Sequence, residues 1–437
     1  MGSNPAARST ALTHDAFTFV EASGGIEAYR LTANGLQVLL LPEAAAPVVT
    51  LMITYRVGSG DEATGLTGAT HFLEHLMFKG TERFNKQQGT SVFNMLQRVG
   101  ARVNATTWID RTNYYALLPK ESLPLAVEIE ADRMRGARIA PDDLASERSV
   151  ILNELDRGEN EPLRKLYQAV WSMAYVAHPY RHPTIGWRSD VEHVTVEGLR
   201  HFYDTYYWPN NATVSVIGDF DRREALDLIA AHFGVLPHAP KPIPFERTRE
   251  PVQRGERRVV VRTAGHVGAL MIGYKVPPAL DPDADALNAL ARVLAASMSG
   301  RLYRRLTDQG LTAQVTAAAS HTRDPGLFYF MAMLAPGRTH KEVEAAIYDV
   351  VAQVQAEGVT EAELQRAKNK LRAEEAYSRD GPYAIAAQLN EAIAAGDWKL
   401  YTTFRERLER VTTEDVQRVA QVYLLEDSRT VGWYVPS

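Results

Sequence analysis

Apolar residues along this chain recur with two different periods. Residues 38–41 and 48–57 are apolar, β-branched runs separated by a turn-like segment, 43–47, and read as two strands. Residues 122–135 carry Leu125, Ile129 and Met134 at helical spacing, and 142–155 form a second helix whose start is marked by Pro141 and Asp142. The same order returns later, with strands over 259–261 and 270–276 and helices over 285–296 and 341–357. This mixture predicts an α+β fold in which a mixed or antiparallel sheet is packed with helices.

The return is in register. Residues 194–214, VTVEGLRHFYDTYYWPNNATV, match 411–431, VTTEDVQRVAQVYLLEDSRTV, at an offset of 217 without a gap. Residues 53–57 match 272–276 at an offset of 219. So long a period is that of whole domains, not of solenoid repeats. The predicted organisation is a domain over 15–236, a linker over 237–257 and a homologous domain over 258–437. The linker opens with PHAPKPIP and reads as extended and exposed.

Composition narrows the function classes. Of 437 residues, 45% are hydrophobic and 23% charged, as in soluble globular proteins. Lys plus Arg total 48 against 53 Asp plus Glu, a net charge of -5 that gives no reason to expect a nucleic-acid partner. No apolar run approaches the roughly 18 residues of a membrane span. Cysteine is absent, which excludes disulfides, Cys-ligated zinc and thiol catalysis. Met1-Gly2-Ser3 reads as an expression leader, which is compatible with removal of a native signal peptide, and the expected location is the bacterial periplasm in preference to the cytoplasm.

The chemistry concentrates in 68–79, GATHFLEHLMFK. His71, Glu74 and His75 form H-x-x-E-H. On a helix the two imidazoles, four residues apart, share a face and can reach one ion. Glu74 lies about 100° round the helix from His75 and can approach a metal-bound water without ligating. Two imidazoles and a carboxylate suit zinc with one open position. The third ligand should come from another helix, and Glu147 and Glu154, seven apart with Val150 and Ile151 between them on that face, are the candidates. Spacing does not choose between them.

These residues carry a resemblance. The chain resembles the pitrilysin-type inverzincin metallopeptidases, closest in layout to the β subunit of the mitochondrial processing peptidase and its bacterial relatives. The supporting motifs are Gly58-Ser59-Gly60-Asp61-Glu62, HFLEHLMFKGT from His71, Asn104-Ala105-Thr106-Thr107, the Glu147–Glu154 pair, His178-Pro179-Tyr180 with Ile185-Gly186, and Pro209-Asn210-Asn211-Ala212-Thr213. The resemblance implies two domains forming a clamshell half, one Zn2+ per chain held by His71, His75 and Glu154, and Glu147 in support. It also implies Glu74 as general base on a zinc-bound water, and Asn104, Ala105 and Thr106 on an edge strand that pairs with extended peptide substrate.

The sequence departs from that pattern in its second half. His71 and His75 map near Leu290 and Leu294, so one metal site is expected. The substrate-binding Arg and Tyr of self-sufficient relatives map to Thr307 and Ala313, with Arg305 as a shifted substitute for the Arg. The expectation is therefore the zinc-bearing subunit of a heterodimer whose homologous partner supplies both groups. The alternative is a non-catalytic scaffold like the related respiratory core proteins, and a zinc-binding peptide receptor without turnover is a third reading. His178 and His182 are interrupted by prolines and make poor ligands. Arg301, Arg304 and Arg305 read as a solvated or ion-paired helix face, and Tyr203, Tyr206 and Tyr207 as a packed helix end.

Overall fold

A computed structural model of the chain describes residues 12–437; the leader at Met1-Gly2-Ser3 lies outside them. The strands are β1 (Phe17–Ser23), β2 (Ile26–Leu31), β3 (Gln37–Pro42), β4 (Val48–Tyr55), β5 (Arg102–Thr107), β6 (Thr112–Pro119), β7 (Ala212–Gly218), β8 (Arg257–Thr263), β9 (Ala269–Val276), β10 (Thr312–Ala319), β11 (Gly326–Leu334) and β12 (Arg429–Pro436). The first seven form one sheet in the order β1-β2-β3-β7-β4-β6-β5, and the last five form another in the order β10-β11-β9-β12-β8. Read from its other end, the second sheet repeats the order β3-β7-β4-β6-β5, with the parallel pair β3–β7 answered by β8–β12. The architecture is α+β in two similar halves, and the β1–β2 hairpin is added to the first.

The in-register repeat has a local cause. Thr195 and Thr412 each cap a helix, accepting from Gly198 N and Asp415 N, and each helix leads into an interior strand, β7 or β12. Tyr203, Tyr206 and Tyr207 are buried at the end of the first of these helices. The inner strands β4, β7 and β9 are buried almost throughout because both faces of each sheet are covered. Leu51 and Ile53 face one core, with Met52 turned to the other.

The second cover of each sheet comes from the other half. Helix Pro162–Ala174 lays Leu166, Val170 and Trp171 on Ala269, Met271 and Tyr434 of the second sheet. Helix Pro382–Ala395 lays Ile385, Leu389 and Ile393 on Leu39, Met52 and Ile217 of the first. The two helices start 220 residues apart, so the exchange is reciprocal. The approach is close: a Cβ on Gly432 would meet Val170 Cγ2 at 2.3 Å.

Residues 234–256 hold no helix or strand. The sequence expectation of an exposed segment fails at Ala239, Ile243 and Gln253, which are buried. The reason is polar anchoring. Arg247 donates to Asp61, to Asp110 at 2.6 Å and to Asp324 at 3.0 Å, and so ties both halves to the segment between them. Glu250 accepts from the backbone N–H groups of Val176, Ala177 and His178 and pairs with Lys275 at 2.9 Å.

Candidate metal centre

His71, Glu74 and His75 sit on helix Ala69–Leu76. Its eight residues are too few for a stable isolated helix, so the surroundings fix it. Phe72, Leu73 and Leu76 are buried in the core. At its start, Glu62 takes the place of a side-chain cap, accepting from Gly68 N and Thr70 N at 2.8 Å each. Burial pushes the Glu62 carboxyl up to about 8, against these donors, which favour its anion. Gly68 has φ 89, and a Cβ there would meet the Ile185 carbonyl oxygen at 2.6 Å. The Gly58–Glu62 and Ile185-Gly186 motifs thus seat the helix N-terminus.

Glu147 and Glu154 lie on helix Pro141–Glu159, which packs on the first. Ile151 is buried between them, but Val150 is 41% exposed, contrary to the expectation of an apolar pair. Three residues beyond Glu147, it is turned about 60° towards solvent, whereas Ile151 is turned about 40° the other way.

The donor atoms converge. One ligand atom each from His71, His75 and Glu154 lies within 4.8 Å of the others. Glu154 carboxylate oxygens stand 3.5 Å from His71 Nε2 and 3.9 Å from His75 Nε2. These separations are close to the ~3.3 Å ligand–ligand edge of a tetrahedron with ~2.0 Å bonds, so the donor set fits zinc. Glu147 sits behind it, 2.7 Å from His75 Nδ1, with Lys79 Nζ 2.5 Å from its other oxygen. An Nδ1–H donated to Glu147 leaves Nε2 as the lone-pair face towards Glu154.

Electrostatics agrees with this division. Burial, then the charges of His75 and Arg164, pull His71 down to about 3, so it stays neutral and able to ligate across ordinary pH. Burial opposes the charging of His75, but the hydrogen bond to Glu147 and the surrounding carboxylates outweigh it and raise its pKa. The bonds to His75 and Lys79 hold Glu147 at about 2. Burial raises the Glu74 carboxyl, whose Oε2 accepts from Thr107 Oγ1 at 2.5 Å.

Thr107 ends β5, an outer strand of the first sheet, with no neighbour beyond it among the described residues. Asn104 and Thr106 on that strand are exposed and Ala105 is buried. Arg111 braces the strand, donating to the Thr106 carbonyl at 3.1 Å and pairing with Glu391 on the crossing helix Pro382–Ala395 at 2.5 Å. Thr107, Glu62, Lys79 and Arg111 had no role in the sequence reading. Thr107, Glu62 and Lys79 stand inside motifs quoted there, which is their only signal, and Arg111 stands in none.

In the second half, Leu290 and Leu294 are buried on helix Ala284–Ala295. Thr307 ends a π-helical turn, Tyr303–Thr307, with its hydroxyl 3.0 Å from that of Thr312. Ala313 lies at a register shift on the edge strand β10. Arg301 pairs with Glu363 and Arg305 with Asp349. His178 and His182 are buried apart from the triad, near Asp324 and Glu62. Among the described residues no helix is long and apolar enough to cross a membrane.

Residues 37–186 match the family described as Insulinase (Peptidase family M16), and residues 193–371 match the Peptidase M16 inactive domain. The zinc protease PqqE of Helicobacter pylori is 30% identical over 92% of this chain and 91% of its own length. The crystal structure of a protease from Helicobacter pylori superposes with a TM-score of 0.89 at 29% identity, covering 94% of this chain and 99% of that one. The periplasmic protease PqqL of Escherichia coli shares the fold, with a TM-score of 0.79 at 21% identity; 96% of this chain is covered and 48% of PqqL.

Proposed function

Because the chain belongs to peptidase family M16, we propose that it is a zinc-dependent endopeptidase for extended or unfolded peptides. The observation that carries the proposal is the convergence of His71, His75 and Glu154 donor atoms within 4.8 Å, with the Glu74 carboxylate close enough to feel the charges of His75 and Glu154. His71, His75 and Glu154 would hold the ion, and Glu147 would orient His75. When bound there, zinc would polarise the scissile carbonyl and bring the pKa of a water towards neutrality. Glu74 would take the proton of that water as its oxygen bonds to the scissile carbonyl carbon, and give the proton to the amine nitrogen as the C–N bond breaks. Thr107 holds Glu74 Oε2 in place for both transfers. The edge of β5, at Asn104, Ala105 and Thr106, would receive the substrate as an added strand and bring its scissile bond to Glu74.

We further assign residues 15–236 to the catalytic domain and 258–437 to its homologue without the zinc motif, joined by 237–257. Within the family the chain reads as the zinc-bearing subunit of the processing-peptidase β-like bacterial subgroup. Thr307 and Ala313 stand where an Arg and a Tyr would bind substrate, and a homologous partner would supply those groups.

The test is hydrolysis of an unstructured fluorogenic peptide by the zinc-loaded chain, alone and with a homologous subunit carrying the Arg and Tyr. Cleavage only in the pair supports the proposal. Full activity of the chain alone removes the heterodimer, and zinc binding without hydrolysis in either case removes the peptidase.

A further inference from the structure

A cavity of about 150 Å³ opens beside the candidate metal centre, with Trp108, Arg164, Tyr167, Trp171, Arg181 and Ile185 in its wall. Three contacts fix its position. Trp108 directly follows Thr107, whose hydroxyl donates to Glu74. The Arg164 guanidinium lies against Gly158, where a Cβ would meet its Cζ at 2.8 Å, and Gly158 is one helical turn beyond Glu154. Ile185 lies against Gly68 at the start of the motif helix.

The charge in this cavity has one sign. Arg164 and Arg181 line it, and no carboxylate does. Arg181 donates to the Val176 carbonyl at 2.9 Å. Among the described residues Arg164 makes no hydrogen bond or ion pair. It also stands in the first turn of helix Pro162–Ala174, where a cation runs against the helix dipole. Arg164 is exposed to solvent as well as lining the cavity, so its guanidinium, with no internal partner competing for it, is open to an external anion.

Resting on the peptidase reading, we infer that this cavity is a substrate subsite taking a carboxylate close to the scissile bond, with Arg164 as its charge-matching residue. Trp108, Tyr167 and Trp171 supply the apolar wall for the methylenes that carry the carboxylate. The volume suits one side chain, since an apolar cavity of about this size admits a benzene-sized molecule. A planar guanidinium meets a carboxylate with two parallel hydrogen bonds, which gives direction as well as charge selection. The carboxylate is that of an Asp or Glu side chain, or of the substrate's own C-terminus.

The test compares peptides identical except for Glu or Gln at each position flanking the cleaved bond. One position is expected at which Glu is preferred about tenfold or more in kcat/KM. Arg164→Gln should abolish that ratio, and Arg164→Glu should turn it into a preference for Arg over Gln. The same order is expected in the affinity of uncleaved peptides for the Glu74→Gln chain, read by fluorescence anisotropy. Amidating the peptide C-terminus separates the two sources: a preference that disappears belongs to the terminus, and one that persists belongs to the side chain. An equal Glu preference in wild type and Arg164→Gln, or none in either hydrolysis or binding, overturns the inference. Absence of all hydrolysis with the anisotropy order intact counts against the peptidase reading and leaves the subsite standing.

Discussion

Glu147 and Glu154 are the same residue type on one helix face, yet their environments differ in kind. Glu154 is 38% exposed and faces both imidazoles, whereas Glu147 is 10% exposed and bonded to His75 Nδ1 and Lys79. Glu154→Gln should therefore remove stoichiometric zinc. Glu147→Gln should weaken zinc binding by about 10- to 100-fold, as loss of a supporting hydrogen bond does elsewhere. Competition titration with a chelator of known affinity reads both, and equal losses would contradict the division of roles. Thr107 makes a separate prediction. Thr107→Val frees the Glu74 carboxylate and should lower kcat by about tenfold or more with zinc content unchanged, while Thr107→Ser restores it. His71, Glu74 and His75 were legible as a set because one helical turn brings them together. Spacing does not choose between the glutamates, because it places both on one face; the resemblance supplies the choice, and packing shows what each one meets. Thr107, Glu62 and Arg164 reach the site from other elements, and no local pattern announces that.

The eight strands and helices read from periodicity are all present in the structure, with ends moved by a few residues. What periodicity missed is the pair of crossing helices. Helix Pro382–Ala395 buries Ile385, Ala386, Leu389 and Ile393, but an apolar face does not say which sheet it will cover. Gly432 allows the reciprocal contact. Gly432→Ala should destabilise the protein by about 1–3 kcal/mol through overpacking against Val170. Val170→Ala in the same chain should recover part of that loss in denaturant unfolding, and strict additivity would show that the two positions do not meet. Glu250 fastens another crossing. Burial alone would raise its pKa, but Lys275 and three backbone N–H groups hold it at about 2, below its ordinary 4.5. Its contribution is present above pH 4.5 and is lost as pH falls towards 2. Melting temperatures over that window should fall less for Glu250→Gln than for wild type, and parallel curves would contradict the assignment.

On the scale of the whole molecule, the two halves are tied by buried charge as well as by exchanged helices. Arg247 stands among Asp61, Asp110 and Asp324, and Arg323 adds a second bond to Asp61 at 2.9 Å. Removing it in Arg247→Gln leaves buried carboxylates short of a counter-charge and should cost about 3–5 kcal/mol in chemical denaturation. A loss below about 1 kcal/mol, the scale of a surface ion pair, would show that the network is solvated and does not hold the halves together. The repeat made two similar halves legible from sequence, but the anchoring of the segment between them was hidden because its partners are distant in the chain. Function belongs to this scale, since the edge strand and the motif helix come from the first half and Glu391, which braces that edge through Arg111, comes from the second. The most direct measurement is peptide hydrolysis by the zinc-loaded chain, mixed with a homologous subunit carrying the Arg and Tyr, set beside the same mixture carrying Glu74→Gln. The expected result is cleavage that stops on chelation and returns with zinc, and that is absent in the variant although its zinc content equals the wild type's. Hydrolysis at the wild-type rate in the Glu74→Gln assembly would contradict the account.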